Sequence, residues 1–307
     1  MTKGELVNFF TKKPGYLKSG NSKIARLFNV EEEIIPKAKE EARVILSSGN
    51  FKNKLVTEES LLKEFIEWKK FKLLNKQLVE ENLPEPFLNG DKGNVLIIGD
   101  LHEPFCLNEY LYFCRTKQEE FNCGTVVFIG DIIDNHYSSY HEAESFTDGP
   151  NAEFEKAKSK IQRWYKVFPT AFVTIGNHDR IVHRKAKTAK LADQWVLDFS
   201  TALNTPGWKF VEEIIIDGVC YNHGEGGTAR ARTKTELQSQ VQGHLHSQFY
   251  LDYIVGNNFK VFGMQVGCGI DRSSFAFAYA KRGPKPVIGC ATVTNRGKNP
   301  QLHPMDL

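Results

Sequence analysis

The spacing of apolar positions changes once along this chain of 307 residues. Up to about Leu88 they recur every three to four residues, as in Leu61-Leu62, Phe65-Ile66, Trp68, Phe71 and Leu73-Leu74, which predicts helices. Beyond Asn94 they come as short continuous runs, each closed by glycine and a polar cluster: "VLIIGDLH" at 95–102, "TVVFIGDIID" at 125–134, "AFVTIGNHD" at 171–179, "EIIIDGVCYNHG" at 213–224 and "VQGHLH" at 241–246. Continuous apolar runs predict strands buried on both faces. Helix-like stretches at 153–168 and 186–201 lie between them.

The stretch "ENLPEPFLNGDKGN" at 81–94, rich in Pro, Gly and Asn, reads as a linker. It predicts a helical segment over residues 1–88 and an α/β domain over 89–307. Reactive residues of α/β folds collect at the carboxyl ends of the strands, so five polar clusters at five strand ends are placed to converge on one crevice.

Composition changes this picture little. The apolar share of 41% and charged share of 25% are ordinary for a globular protein, which argues against a disordered or repeat class. No basic-then-apolar leader is seen at 1–10 and no apolar run approaches the roughly 20 residues of a bilayer span, so a cytoplasmic protein without membrane attachment is expected. The six cysteines lack CxxC spacing and are expected to be reduced packing residues. Net charge is only +3, yet residues 1–80 carry 16 Lys and Arg against 11 Asp and Glu, so the rest of the chain is slightly acidic. That basic excess acquires meaning if the segment meets an anion such as nucleic acid.

The strand-end clusters offer Asp100, His102, Asp131, Asn177, His223, His244 and His246. Mixed carboxylate, imidazole and amide donors suit Mn, Fe, Zn, Co or Ni and not the oxygen cage of calcium. Seven donors exceed the needs of one ion with an open position. Two ions about 3.5 to 4 Å apart that share a carboxylate use them all.

The ordered blocks "GDLH", "GDIID", "GNHD", "YNHG" and "GHLH" resemble the calcineurin-like metallophosphoesterase family, whose pattern is DxH, GDxxD, GNH[DE], H and GHxH. The resemblance runs from about 95 to 246, with family-like strands to about Val293. It implies a two-sheet sandwich flanked by helices in place of the single doubly wound sheet that alternation alone suggests. It implies that Asp100, His102 and His246 hold one metal, that Asn177, His223 and His244 hold the other, and that Asp131 bridges them. Two divalent ions, manganese first among the candidates, then activate a water for in-line attack on a phosphoester. His178 is the implied proton donor to the leaving oxygen, with Asp134 orienting its ring.

Around these blocks the readings stay open. The stretch "DNHYSSYHEAE" lacks the arginine that protein phosphatases of this family usually carry after GDxxD, and His136 within it reads either as cleft lining or as a hydrogen-bonded loop residue. Arg180, after GNHD, and Arg230 and Arg232, after "HGEGG", suit bidentate phosphate contacts and equally suit solvated positions. Gly99 is expected to free the turn between Asp100 and the strand before it.

Residues 21–46 have a helix-turn-helix texture, with Ile24, Ala25, Phe28, Val30 and Ile34 packing two helices and Asn29 at the turn. DNA binding is one reading and a packing or oligomerisation appendage the other. Glu31-Glu32-Glu33 opens the second helix, where acids favour the helix dipole and meet phosphates badly. The sequence therefore predicts a dimetal phosphoesterase, with nucleic acid or nucleotide favoured as substrate. The alternatives are a phosphatase of phosphoproteins or small metabolites and a scaffold that binds without catalysis; the oligomeric state is open.

Overall fold

The computed structural model describes residues 2–28, 30–47, 83–138, 149–271 and 285–306. The chain divides into two compact units, Met1–Gln77 and Leu78–Leu307.

In the first unit, helix α1 (Lys3–Lys12) opens with a capping box: Thr2 accepts from the Glu5 amide and the Glu5 carboxylate accepts from the Thr2 amide. Helices α2 (Asn21–Phe28) and α3 (Ile34–Ser47) follow. Leu6, Phe10, Ile24, Ile35, Ala38 and Ala42 form the buried core, and Phe28, Val30 and Ile34 pack against it. Ile24, Ala25, Phe28, Val30 and Ile34, read from the sequence as packing two helices, all lie in or against this core, which α1 shares. Pro36 is the third residue of α3, inside the first turn, where its missing N–H costs no helical bond. The expected turn residue Asn29 and the helical pattern at 61–74 lie outside the described residues.

The second unit is a mixed α/β structure with two sheets flanked by helices, as the resemblance implied. Strands β1 (Asp91–Ile98), β2 (Cys123–Phe128), β3 (Ala171–Thr174) and β4 (Trp208–Val211) are successively parallel. They are linked through α4 (Asn108–Glu120), α5 (Pro150–Val167), α6 (Ile181–Thr188) and α7 (Phe199–Leu203). The second sheet contains β5 (Glu213–Ile216), β6 (Val219–Asn222), β7 (Ser239–Gln242), β8 (Tyr250–Val255) and β9 (Lys260–Gln265), with helix α8 (Ala229–Glu236) between β6 and β7. The chain then returns to the first sheet as β10 (Gly289–Thr294) and β11 (Asn299–Pro304), giving the order β11-β10-β1-β2-β3-β4; the second sheet runs β5-β6-β7-β9-β8.

Strand β1 shows why its apolar run is continuous. Leu96 and Ile98 enter the core formed with the helices, against residues such as Trp164 and Phe128. Val95 and Ile97 point the other way, into the core between the sheets with Tyr221, Val241 and Met264. Alternate residues serve opposite faces, and both faces are dry. Tyr110 of α4 bolts the centre together: its hydroxyl donates to Gly289 O at 2.7 Å and accepts from Gly99 N at 3.0 Å.

Gly99 is needed for a different reason from the expected one. Its φ lies outside the left-handed region, but an added Cβ would run into the Gly267 carbonyl, so the residue permits close strand contact. The helix expected over 186–201 is broken into α6, a short 3-10 turn and α7, because Asp198 N-caps a fresh helix at Phe199. The run at 213–224 is a hairpin, β5 and β6 around Asp217-Gly218, both at positive φ. The linker residues Glu85 and Phe87 are fastened to α4: Arg115 donates to Glu85 O and lies over the Phe87 ring. All six cysteines are free and buried. Among the described residues, no helix is long and apolar enough to cross a membrane.

Candidate metal centre

Asp100 and His102 follow β1, Asp131 and Asp134 follow β2, Asn177 and His178 follow β3, His223 follows β6, and His244 and His246 follow β7. Both sheets therefore contribute through their carboxyl ends. The loops are stitched to one another before any ligand is considered. Leu101 N and His102 N donate to Asp131 O at 3.1 and 2.8 Å, and His178 N donates to Asp131 Oδ1 at 2.8 Å. His244 N donates to Asp100 Oδ2, also at 2.8 Å. His102, Asp131 and His244 adopt φ of 49°, 46° and 67°. Left-handed backbone at three non-glycine donors is local strain held by the surrounding fold. Gly130, at φ 99°, is needed beside them: a Cβ there would lie 2.6 Å from His223 Nδ1.

The donor atoms form two groups that share Asp131. One contains Asp100, His102, Asp131 and His246, the other Asp131, His223 and His244, and within each the ligand atoms lie within 4.8 Å of one another. In the first, His102 Nε2 and His246 Nε2 are 3.2 Å apart and His246 Nε2 is 3.0 Å from Asp100 Oδ2. In the second, His223 Nε2 is 3.1 Å from Asp131 Oδ2 and 3.0 Å from Asn177 Oδ1. The far nitrogens are anchored, as those of metal-binding histidines are: His102 Nδ1 lies 2.6 Å from Asp134 Oδ1, and His223 Nδ1 lies 2.9 Å from Ile129 O.

Electrostatics divide the imidazoles. Burial lowers the pKa of His102, and burial together with the nearby His223 lowers that of His244, so both are kept neutral with a lone pair to offer. For His223 burial opposes the charge, but Asp131 outweighs it and pushes the pKa up to about 10. Asp131 is held below the ordinary carboxylate range despite its burial, because His223, His102 and His178 surround it. His178 is also raised against its burial, by Asp131 and Asp134.

Four positions outside the seven donors differ from expectation or sharpen it. Asp134 orients two histidines with two different groups: its carboxylate holds His102, while its backbone carbonyl accepts from His178 Nδ1 at 2.6 Å, the carboxylate lying 3.5 Å away. His136 is buried, its amide donates to Glu153 Oε1 at 2.6 Å, and its ring is 4.0 Å from Asp134 Oδ2. Arg180 is engaged by Ile175 O, Glu212 and Glu225. It lines a cavity of about 210 Å3 with His223 and Arg232. Arg230 does not line this cavity; it pairs with Asp252 and lies over the Tyr250 ring, because the first turn of α8 directs it to β8. Asp179 is a further residue, present in "GNHD" but given no role by sequence reasoning. It is buried and accepts from the amides of Ile132, Ile133 and Gly176, fixing the β2 and β3 loops together. Burial and then Asp131 raise its pKa to about 7.

The set fits a pair of divalent cations. Asp100 Oδ1 is buried without a hydrogen-bond partner among the described residues, and His102 Nε2 and His246 Nε2 converge to 3.2 Å beside it. A cation satisfies both, and N and O donors suit borderline divalent ions.

No curated protein sequence matches the chain. Among solved structures, Vps29 of Cryptosporidium parvum aligns at 15% identity over 70% of this chain and 91% of its own, with a TM-score of 0.37. The phosphoesterase YfcE of E. coli aligns at 12% identity over 66% and 88%, TM-score 0.33, and the nuclease MPE of Pseudomonas putida at 14% over 69% and 87%, TM-score 0.31. These structural likenesses are distant. The calcineurin-like phosphoesterase family model, by contrast, matches residues 93–256, more than half of the chain and every donor described above, so this protein belongs to the calcineurin-like phosphoesterase family.

Proposed function

We propose that the protein is a phosphoester hydrolase that works with two divalent metal ions, manganese first among the candidates. Asp100, His102 and His246 would hold one ion, Asn177, His223 and His244 the other, and Asp131 both. The observation that carries this reading is the pair of donor groups joined through a single buried carboxylate. When bound, such ions supply Lewis acidity toward phosphoryl oxygens and activate water.

The remaining chemistry belongs to the chain. Asp134 O engages Nδ1 of His178, which leaves Nε2 as the atom to hand a proton to the leaving oxygen. The raised pKa of His178 favours the protonated ring that this role requires. Asp134 and Asp179 hold their neighbours in place.

Within this activity we favour a phosphodiester of nucleic acid or nucleotide type, acting in the cytoplasm. The support is the basic excess of residues 1–80 and the helix-turn-helix texture of residues 21–46, whose apolar positions lie in one helical core. One observation favours the other reading, a monoesterase with a helical appendage. The exposed side of α3 carries Glu40 and Glu41, paired with Arg43 and Lys3, and Glu31-Glu32-Glu33 lies just before it.

The test is manganese-loaded protein on bis-p-nitrophenyl phosphate, p-nitrophenyl phosphate, and single- and double-stranded DNA, beside Asp131→Asn. Diester and DNA turnover lost in the variant supports the reading, monoester turnover alone favours the phosphatase, and no turnover with any of these metals revives a scaffold. DNA binding that is unchanged between about 50 and 200 mM salt removes the nucleic-acid assignment, since phosphate contacts weaken with counterion competition.

A further inference from the structure

A cavity of about 630 Å3 is bounded by the two loops that carry Asp134 and His178. Ile133 and Asn135 flank Asp134, Asp179 follows His178, and all three line it. Asn135 Nδ2 donates to His178 O at 2.9 Å, so the wall of the cavity and the candidate acid are one hydrogen-bonded piece. Its size falls within the roughly 300–1,000 Å3 of small-molecule sites.

Its lining combines two features that a packed core would not leave. Large apolar side chains stand in water around it: Trp195 is 84% exposed, Leu197 63% and Leu191 54%. An exposed apolar patch around a concavity marks a ligand site. The second feature is polar. Asn135, Ser138 and Asn151 line the cavity beside the aromatic pair of His183 and Phe199, whose ring centroids are 4.5 Å apart. An aliphatic chain would cover Trp195 and leave the polar side chains of Ser138 and Asn151 at the rim unmatched. A planar heterocycle answers both, by stacking on aromatic faces and hydrogen bonding at its edge.

We propose that this cavity receives the nucleobase of a nucleotide or nucleic-acid substrate whose phosphate lies at the donor cluster, with Trp195 as the stacking platform and the polar side chains of the lining, Ser138 and Asn151 among them, meeting the edge of the base. The assignment rests on the phosphoesterase reading for the position of the phosphate. It adds a specificity site that the metal-binding motifs do not contain.

The test measures binding to the full manganese-loaded chain by calorimetry, using non-hydrolysable phosphonates: the phosphonate analogue of AMP, hexylphosphonate and methylphosphonate. The AMP analogue is expected to bind about tenfold tighter than methylphosphonate, as stacking of one base allows. Trp195→Ala should remove most of that difference without changing methylphosphonate affinity or metal content, and Trp195→Phe should restore it. Trp195 is solvent-exposed, so the variant keeps its fold. Equal affinity for the AMP analogue and methylphosphonate overturns the proposal, as does hexylphosphonate binding as tightly as the AMP analogue, or loss of both ligands in Trp195→Ala. Turnover of bis-p-nitrophenyl phosphate is measured in parallel. Turnover without a base preference sinks the pocket alone, whereas a Trp195-dependent base preference without turnover of any ester sinks the hydrolase reading alone.

Discussion

Asp134 and His178 are neighbours with separable duties. His178→Ala should lower turnover by roughly 10²- to 10⁴-fold while bound manganese, measured after dialysis, stays at the wild-type level. Asp134→Asn should do the reverse in emphasis. The carboxylate 2.6 Å from His102 Nδ1 fixes the ring of a donor, so its loss should weaken manganese affinity about 10- to 100-fold. If Asp134→Asn instead leaves metal affinity intact and lowers only turnover, its carboxylate serves His178. The seven residues that the structure gathers were legible in the sequence because each stands in a short local block. The sequence did not supply the division of labour within Asp134, since a motif names a residue and not which of its atoms faces which neighbour. Arg232 rather than Arg230 beside His223 was hidden for a similar reason, the direction of two side chains on the first turns of α8.

Among elements, β1 and α4 are joined at the centre of the first sheet by the Tyr110 hydroxyl, which both donates and accepts in the dry interior. Tyr110→Phe leaves the Gly99 amide and the Gly289 carbonyl unpaired and should destabilise the protein by about 1–3 kcal/mol, read as a lower urea midpoint at unchanged m-value. Strands were the most legible elements because each apolar run ended in glycine. Breaks inside polar-and-apolar stretches were less so. The hairpin at Asp217-Gly218 carried its turn signal in plain sight, but the long apolar text on either side read as one run. The break before α7 depended on a single capping aspartate, Asp198, whose effect competes with helical spacing on both sides. Strands β8 and β9 carry no donor and end in no motif, so nothing in their sequence singled them out.

At the scale of the whole molecule, metal and proton compete for one cluster. In metal-stripped protein the folded pKa of His223 is about 10, above its ordinary 6.5. The folded state then binds the proton more tightly than the unfolded state. This contribution to stability is complete below about pH 6.5 and is lost as pH rises through about 10. Chelated protein should show a falling urea midpoint from pH 6.5 to 10, a slope that His223→Gln flattens. Manganese-loaded protein should not lose stability in that window, because the cation needs the neutral imidazole and binds better as the proton leaves. A midpoint that falls equally with and without manganese would show that the two do not meet at His223.

The return of the chain to the first sheet has a consequence for synthesis. Strand β1, which leads into Asp100 and His102, has β10 as its antiparallel neighbour, so the middle of that sheet stays open until residue 294 has been made. A nascent chain can hold every ligand in its sequence and still lack the fold that gathers them. The residues around Asp100 are therefore expected to come together only once β10 has been made, and a fragment that stops after His246 should purify without metal and without activity.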